Sequence, residues 1–315
     1  MGRRALRLRV LSRADVEQAL DPDALVEALA DAFAALSGGR ASMPPRTGVE
    51  VPGHGSVLLM GAHAHGAATA TVKLVSLFPG HDPAHQAAIV VFDAPTGTPV
   101  ALMDGDAITA ARTAAGSRLA TRLLARPDAA VLAVVGTGVQ GEAHVLALER
   151  ERDWAEVRIA GRRPEAARAL AERLGVAAAE SIQAAVRGAG VVCVATPATE
   201  PVLRREWLAP GAHVNSVGYT TAGRELDEAT VRDALVVVES RESALAPPPA
   251  GSTDLEGAEV HAELGEVVAG TRPGRGGPDD LTLYKSVGVG VEDDAAAALA
   301  LRGAEARGLG TVVEL

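Results

Sequence analysis

A glycine-rich loop constrains the fold of this 315-residue chain more than any other feature of its sequence. Gly136, Gly138 and Gly141 form a G-x-G-x-x-G pattern that follows the apolar run 131–135 and opens a helix-like segment. Free backbone N–H groups at the start of a helix attract a pyrophosphate, and the glycines allow a tight turn and a close approach of the phosphate. The alternative is an ordinary glycine turn, but the strand-loop-helix context favours a dinucleotide-binding site.

Apolar strand-like runs alternate with helix-like segments from residue 129 onward. Such alternation is typical of parallel strands joined by crossover helices. The predicted strands are 131–135, 157–160, 191–195, 213–217 and 235–239, and the predicted helices include 141–150 and 164–174. This part of the chain is therefore predicted to be an α/β domain of the Rossmann type.

The residues before this domain predict a different architecture. Ser12 and the pair Asp21-Pro22 are typical helix starts, and Asp106 is predicted to cap a long helix that ends near residue 125. Between them lie short apolar runs that predict a mostly antiparallel sheet, at residues 57–60, 71–77, 87–92 and 100–103.

The C-terminal segment is predicted to return to this first domain. It contains a strand near residue 283 and an alanine-rich helix over 294–308. We expect that helix to pack on the antiparallel domain. The predicted fold class is thus α/β, with a Rossmann domain of residues 119–291 inserted into an α+β domain of residues 1–118 plus 292–315.

The end of the second Rossmann strand distinguishes NAD from NADP. NAD-selective sites usually place Asp or Glu there, where it binds the ribose hydroxyls. Here the strand ends in Arg162 and Arg163, whose guanidinium groups suit a ribose 2′-phosphate. NADP is therefore favoured over NAD, unless these arginines are simply solvated residues at a helix start.

Composition argues against several other classes of protein. A net charge of −10 and an aromatic content of 2% disfavour nucleic-acid binding, which needs a basic face and usually stacking rings. The N-terminal residues lack the apolar stretch of a signal peptide, and no segment approaches the roughly 20 apolar residues of a membrane span. Cys193 is the single cysteine, so a disulfide-free protein of the cytoplasm is expected. No grouping of residues predicts a hydrolase.

Two pairs of histidines are the only hint of a metal site, at residues 63 and 65 and at residues 81 and 85. Neither pair is completed by a glutamate or cysteine at a spacing typical of metal ligands. We therefore predict no metal, and His85 or Gln86 is a candidate for lining the pocket near the nicotinamide.

Motifs spread along most of the chain resemble the ornithine cyclodeaminase/mu-crystallin family. They occupy residues 43–46, 60, 72–80, 92–93, 96–97, 101–104, 108–115, 136–140, 225–227 and 285–288. The resemblance implies a two-domain homodimer in which the N-terminal domain and the C-terminal helix bind a small carboxylate substrate and form the dimer. The Rossmann domain would bind the dinucleotide.

The resemblance also implies the roles of three cationic residues. Arg46 and Arg112 match arginines that hold the substrate carboxylate, which suits the planar, bidentate guanidinium group. Lys73 matches a lysine that reaches the reacting centre, where an ammonium can give a proton to a carbonyl or imine as hydride arrives. The predicted cofactor contacts are Thr113, Gly136, Thr137, Gly138, Val139, Gln140, Arg162, Arg163, Thr196 and Ser286.

Two departures from the family pattern bear on the reaction. Thr220 stands at or near the position of an aspartate that acts as acid and base in the cyclodeaminases, and a family glutamate before Met60 is missing. A threonine hydroxyl is no base near neutral pH. We keep Thr220 as a candidate catalytic residue, but full ornithine cyclodeamination is disfavoured. The mu-crystallin branch, which reduces ketimines, resembles this chain in lacking the aspartate.

These features predict an NAD(P)H-dependent reductase of a small cyclic imine or ketimine carboxylate, such as 1-pyrroline-2-carboxylate or 1-piperideine-2-carboxylate. An ornithine or lysine cyclodeaminase, or an amino-acid dehydrogenase acting on alanine, is the alternative within the family. A non-enzymatic, NADPH-dependent binding protein is the alternative of another class. Of the 30 lysines and arginines, only Lys73 and Lys285 are lysines, and this bias singles out Lys73 as the proton donor.

Overall fold

The computed structural model describes residues 5–218, 223–247 and 249–315. They form two compact units. Unit 1 comprises Met1–Arg112 and Val289–Leu315, and unit 2 comprises Thr113–Gly288. None of the described helices combines the length and hydropathy that crossing a membrane requires.

The secondary-structure elements are numbered here in chain order over the described residues. The strands are β1 (Arg7–Leu11), β2 (Ala41–Ser42), β3 (Thr47–Val51), β4 (Gly55–Ala64), β5 (Thr69–Leu77), β6 (His85–Asp93), β7 (Thr98–Asp104), β8 (Val131–Val135), β9 (Glu156–Ala160), β10 (Ala177–Ala178), β11 (Val191–Val194), β12 (His213–Ser216), β13 (Leu235–Val238), β14 (Val260–Glu263), β15 (Thr282–Lys285) and β16 (Thr311–Glu314). The helices are α1 (Arg13–Ala19), α2 (Pro22–Ser37), α3 (Gly105–Leu124), α4 (Val139–Glu149), α5 (Pro164–Leu174), α6 (Ile182–Val186), α7 (Glu228–Asp233), α8 (Arg241–Ala244), α9 (Leu264–Val268) and α10 (Gly290–Arg307).

Unit 1 is built on a mostly antiparallel sheet. Its strands follow the order β16-β1-β7-β6-β5-β4, and both β2 and β3 pair with β4. The one parallel pair among the described strands of this sheet joins β1 to β7. Helix α10 packs on α1, α2, β4 and β5, so the C-terminal helix lies against the sheet as the sequence predicted.

Alternation along β5 decides which of its side chains face the helices. Thr71, Lys73 and Val75 are buried, whereas Leu74 is exposed. Successive side chains of a strand point to opposite faces of the sheet. The same alternation that builds the core therefore carries the Lys73 ammonium into the interior of unit 1.

The starts of the helices follow local capping chemistry, although the capping residue of α3 differs from the predicted one. Ser12 forms a capping box with Asp15 at the start of α1, as expected for serine at this position. Asp106 was predicted to cap α3, but that prediction is wrong. Asp104 Oδ1 accepts a hydrogen bond from the backbone N–H of Ala107 at 2.7 Å, whereas Asp106 pairs with the His85 ring at 2.9 Å. The helix begins earlier because Asp104 sits at the end of β7.

Unit 2 contains a parallel sheet with strand order β10-β9-β8-β11-β12-β15-β13-β14. The central strands β8 and β11 are almost entirely buried, which explains why they are continuous apolar runs rather than alternating ones. The chain leaves β8 toward β9 on one side and later returns to β11 on the other. Such a switch point is where open α/β sheets bind ligands, and the α/β fold class is confirmed.

Candidate active site

A buried cluster of charged side chains lies in unit 1, around Lys73. The Lys73 side chain is 2% exposed, and its Nζ lies 2.6 Å from Oδ2 of Asp293. Nζ also donates a longer hydrogen bond to Thr109 Oγ1 at 3.4 Å. A buried ammonium is costly unless it is paired and hydrogen-bonded, so these contacts define a specific position for the lysine.

Arg112 belongs to the same cluster. Its Nε donates to Asp293 Oδ1 at 3.2 Å, and its Nη1 donates to Glu292 Oε2 at 3.0 Å. One carboxylate, that of Asp293, therefore holds both Lys73 and Arg112. The structure thus brings together two of the residues that the sequence assigned to catalysis and substrate binding.

Glu292 and Asp293 were not predicted from the sequence. Both lie in the first turn of α10 and are fully buried, and Glu292 Oε2 also accepts from the backbone N–H of Val289 at 2.8 Å. Acidic residues are common at the start of a helix because they favour its positive end. An ordinary helix start would show the same sequence, so only their burial against Lys73 and Arg112 reveals a further role.

The surrounding charges and burial shift the pKa of Lys73. Burial lowers it from its usual value to about 8, Asp293 opposes this change, and Arg112 and Arg46 lower it further. Arg46 lies between β2 and β3 and is half-buried, and its effect on this pKa places its charge in the electrostatic environment of Lys73. An ammonium with a pKa near 8 is largely protonated at neutral pH and still able to release its proton.

Asp293 and the adjacent Asp294 respond to different surroundings. Burial favours the neutral form of Asp293, but Lys73 and Arg112 hold its pKa below the usual range. Burial raises the pKa of Asp294 to about 6, although a backbone hydrogen bond from Ala64 opposes the rise. Asp293 is therefore the ionised partner of the two cations.

The predicted glycine-rich loop in unit 2 has the geometry that its sequence implied. Gly136 follows β8 directly with a φ of 131°, and a Cβ there would collide with the carbonyl oxygen of Ala195. A Cβ on Gly141 would collide with the carbonyl of Gly136, so this glycine lets α4 pack on the strand. Glycine is required at both positions, since other residues rarely adopt such a positive φ or fit so close to a backbone.

Gly138 differs from the other two glycines because a Cβ there would meet open space. It is the N-cap of α4 and makes no side-chain cap. The first N–H groups of a helix lack partners within that helix, and the open space in front of them fits a pyrophosphate. Thr137 and the α4 residues Val139 and Gln140 complete this loop, which fits a dinucleotide.

The two arginines at the end of the second Rossmann strand lie next to this loop. The backbone N–H of Gly136 donates to Ala160 O at 2.9 Å, which links the start of the loop to the end of β9. Arg162 and Arg163 follow shortly after and are exposed. Neither guanidinium forms an ion pair with the part of the chain that the structure describes, and both are accessible to a phosphate.

A buried polar network joins the carboxyl ends of three strands of unit 2. Glu225 accepts hydrogen bonds from the backbone and hydroxyl of Thr196, the hydroxyl of Ser216 and the backbone of Gly218, at 2.7 to 3.0 Å. Lys285 Nζ lies 2.8 Å from Asp254 Oδ2 and donates to Gly218 O and Ser216 Oγ at 2.9 and 3.0 Å. This network holds Thr196, one of the predicted cofactor contacts.

The remaining predicted residues occupy separate places. Ser286 is buried directly after Lys285, where its backbone N–H donates to Ser216 O at 2.9 Å, and Thr113 is buried on α3. Thr220 lies outside the described residues. No group of three or more metal-ligating side chains occurs among the residues that the structure describes.

Comparison with known proteins identifies the family of this chain. The sequence model of the ornithine cyclodeaminase/mu-crystallin family matches residues 7–306. Ketimine reductase mu-crystallin of Mus musculus is 41% identical over 269 residues, which is 83% of this chain and 85% of that protein. These similarities confirm the resemblance seen in the sequence motifs.

Solved structures show the same similarity. Thermococcus litoralis Delta(1)-pyrroline-2-carboxylate reductase in complex with NADH and L-proline superposes with a TM-score of 0.90 at 36% identity, covering 96% of this chain and 99% of that one. An archaeal alanine dehydrogenase dimer with bound NAD gives a TM-score of 0.90 at 29% identity, covering 98% and 99% of the two chains. The chain belongs to the ornithine cyclodeaminase/mu-crystallin family.

Proposed function

We propose that this protein reduces a small cyclic ketimine carboxylate to the corresponding cyclic amino acid, with NAD(P)H as the reductant. The chain is an oxidoreductase that uses a nicotinamide dinucleotide. The observation that supports the proposed substrate class best is the buried cluster in which Asp293 holds Lys73 and Arg112. It offers a proton donor and a carboxylate-binding guanidinium side by side.

The chemistry of the cluster matches the two reactive parts of such a substrate. When bound, the dinucleotide supplies a hydride for the imine carbon. Arg112 and Arg46 would bind and orient the substrate carboxylate, since guanidinium groups do so in a planar, bidentate manner. Lys73 would hold a proton at Nζ and give it to the imine nitrogen, which makes the imine carbon more electrophilic. Burial of the cluster excludes water from this proton transfer.

The cofactor preference is a finer proposal. Arg162 and Arg163 support NADP, because both are exposed beside the glycine loop and no carboxylate occupies the end of β9. We expect wild-type protein to bind NADPH more tightly than NADH. The double variant Arg162→Ala/Arg163→Ala should lose roughly tenfold in NADPH affinity and little in NADH affinity, because charge-assisted hydrogen bonds to the 2′-phosphate are lost.

Fluorescence titration of the bound nicotinamide measures both affinities. Arg168→Ala is the matched control, since Arg168 is an exposed arginine farther along α5 and should leave both affinities unchanged. Tighter binding of NADH by the wild type, or an equal loss for both dinucleotides in the double variant, would contradict the proposal.

The assembly is proposed to be a homodimer that forms through unit 1. This proposal is supported by an apolar outer face around Leu74 on the antiparallel sheet of that unit, and the archaeal relative was itself solved as a dimer. A cytoplasmic location stays a prediction, supported by the single, buried thiol of Cys193.

The reaction is tested with purified protein, NADPH or NADH, and two ketimines, 1-pyrroline-2-carboxylate and 1-piperideine-2-carboxylate. We expect loss of the reduced-nicotinamide absorbance together with formation of proline or pipecolate. Ornithine with the oxidised dinucleotide should release no ammonia, because Thr220 stands near the position of the cyclodeaminase aspartate. Absence of turnover with every cyclic ketimine would refute the proposed function.

A further inference from the structure

A single carboxylate, that of Asp293, joins the two cations of the unit 1 cluster. Its Oδ2 lies 2.6 Å from Lys73 Nζ, and its Oδ1 lies 3.2 Å from Arg112 Nε. Its residue is 0% exposed, so water does not weaken either contact. Each oxygen of this carboxylate therefore has a separate cationic partner.

We propose that Asp293 is the positioning residue of the reduction, because its carboxylate keeps Lys73 protonated and fixes that ammonium relative to Arg112. This inference rests on the proposed function, in which Lys73 donates the proton and Arg112 binds the substrate carboxylate. Asp293 itself transfers no proton. It acts through the two residues that it holds.

The charges around Lys73 explain why a carboxylate is needed at this position. From α3, Arg112 faces the ammonium together with the Thr109 hydroxyl, and Arg46 acts from the segment before β3. Both arginines disfavour a positive charge on Lys73, and so does burial. Asp293 on α10 opposes all three effects.

The other acidic groups nearby are engaged elsewhere. Glu292, one residue before Asp293, accepts from Arg112 and from the backbone of Val289. Asp294 is tied to the backbone of Ala64 and lies near His63. Neither acid contacts Lys73, so we expect Asp293 to decide whether that residue carries its proton at neutral pH.

The proton is accounted for in the step that Asp293 supports. The lone pair of the imine nitrogen takes a proton from the Lys73 ammonium, which gives an iminium ion, and the π electrons of the C=N bond become the nitrogen lone pair as the hydride arrives. The imine carbon then takes the hydride, which oxidises NAD(P)H to NAD(P)⁺. Lys73 is left as a neutral amine, and solvent returns its proton. Asp293 is unchanged by the cycle.

The test is the pH profile of kcat for the full-length Asp293→Asn variant with NADPH and a cyclic ketimine. An asparagine keeps the shape but not the charge, so Lys73 should lose its proton at a lower pH. We expect the basic limb of the profile to move down by about one pH unit or more. At pH 8 kcat should fall about fivefold or more, and at pH 6 it should partly recover.

Two further variants control for a merely structural effect. Asp293→Glu restores the charge and should return the basic limb to its wild-type position, even where kcat stays lower. Asp294→Asn changes the adjacent buried acid and should leave that limb in place. NADPH binding and thermal unfolding are measured for each variant to show that it is folded.

The outcomes separate this inference from the proposed function. A wild type without ketimine turnover refutes the proposed function itself. An active wild type whose Asp293→Asn variant keeps the basic limb in place, or loses the same factor of kcat at every pH, refutes the role of Asp293 alone. If Asp293→Asn does not fold, Asp293→Glu decides: a limb in the wild-type position supports the inference, and a displaced limb overturns it.

Discussion

The two lysines of this chain have the same kind of partner in different units. Lys73 is paired with Asp293 at 2.6 Å, and Lys285 is paired with Asp254 at 2.8 Å. Both lysines are buried, whereas the many arginines provide the other positive charges. A lysine is a compact cation that can release its proton, whereas an arginine stays protonated because of its much higher pKa. Lys73 can therefore give up a proton, which an arginine at the same position could not do.

The first prediction follows from this difference between the two cations. Lys73→Arg keeps a positive charge beside Asp293 but removes the exchangeable proton, so kcat with a cyclic ketimine should fall about 100-fold or more. Affinity for NADPH should remain, because Gly136 and the rest of the glycine loop belong to unit 2. Steady-state kinetics and dinucleotide titration measure the two effects. Near wild-type kcat in Lys73→Arg would show that Lys73 does not donate the proton.

Sequence patterns identified some residues of the site and missed others for physical reasons. Lys73 and Arg112 stood within long motifs, and their closeness in the fold agrees with the roles assigned to them. Glu292 and Asp293 could not be recognised, since acidic residues at the start of a helix are expected for electrostatic reasons alone. Arg112, which contacts both acids, is about 180 residues away in the chain, and such a contact has no local signature.

At the scale of elements, the parallel sheet was easier to predict than the antiparallel one. Strands β8 and β11 are buried on both sides, so their continuous apolar sequence signals them directly. The pairing of β1 with β16 was not predicted, because both strands are short and lie at opposite ends of the chain. Strand β3 was also missed, since all but one of its residues are exposed and it has no apolar run.

The second prediction concerns the buried ion pair of Lys285 at the carboxyl ends of β11, β12 and β15. Lys285→Met would leave Asp254 with an uncompensated buried charge, next to the second buried carboxylate of Glu225. Breaking a buried pair in this way costs about 3–5 kcal/mol of unfolding free energy. Because the same network holds Thr196 and Gly218, NADPH affinity should fall as well.

Urea unfolding and dinucleotide titration measure these effects. Arg173→Met is the matched control, since Arg173 pairs with Glu142 at the surface of the same unit. Exposed pairs contribute less than about 1 kcal/mol, so the control should change neither quantity appreciably. Equal stability of the Lys285→Met variant and the wild type would contradict a structural role for this ion pair.

At the scale of the whole molecule, two buried histidines couple folding to pH. Burial lowers the pKa of His144 to about 4 and that of His213 to about 3. Both are therefore neutral in the folded protein near pH 6, where an unfolded histidine with a pKa of about 6.5 is mostly protonated. The unfolded state then binds more protons, so these groups lower the unfolding free energy as pH falls below about 6.5.

The third prediction isolates this contribution with a variant. Asp294, with its pKa raised to about 6, acts in the opposite direction. The pH dependence of the unfolding free energy is therefore the sum of these opposing contributions. The His144→Gln variant should lose less unfolding free energy than the wild type between pH 7.5 and pH 5, as measured by urea unfolding at each pH. His54→Gln, at an exposed position, should retain the wild-type difference. An unchanged difference in His144→Gln would contradict the neutral, buried state of that ring.

The outer face of the unit 1 sheet bears on how the whole molecule assembles. Leu59, Leu74 and Ala88 form one row across three neighbouring strands, and Val72 and Val90 belong to the next row. None of these side chains is buried, and Leu74 is 39% exposed. A contiguous apolar face on a soluble protein usually marks an interaction surface. A second copy of the same sheet is a suitable partner, because a two-fold interface pairs one patch with itself.

The fourth prediction tests that interface with a single charge. Leu74→Glu places a carboxylate in the middle of the apolar face, and in a two-fold dimer it brings two such charges into one desolvated interface, which is strongly unfavourable. We expect sedimentation velocity to show a dimer for the wild type and a monomer for the variant at micromolar concentration. Leu146→Glu is the control, because Leu146 is similarly exposed, at 51%, but lies on α4 in unit 2. A dimeric Leu74→Glu variant, or dissociation caused by Leu146→Glu instead, would place the interface elsewhere.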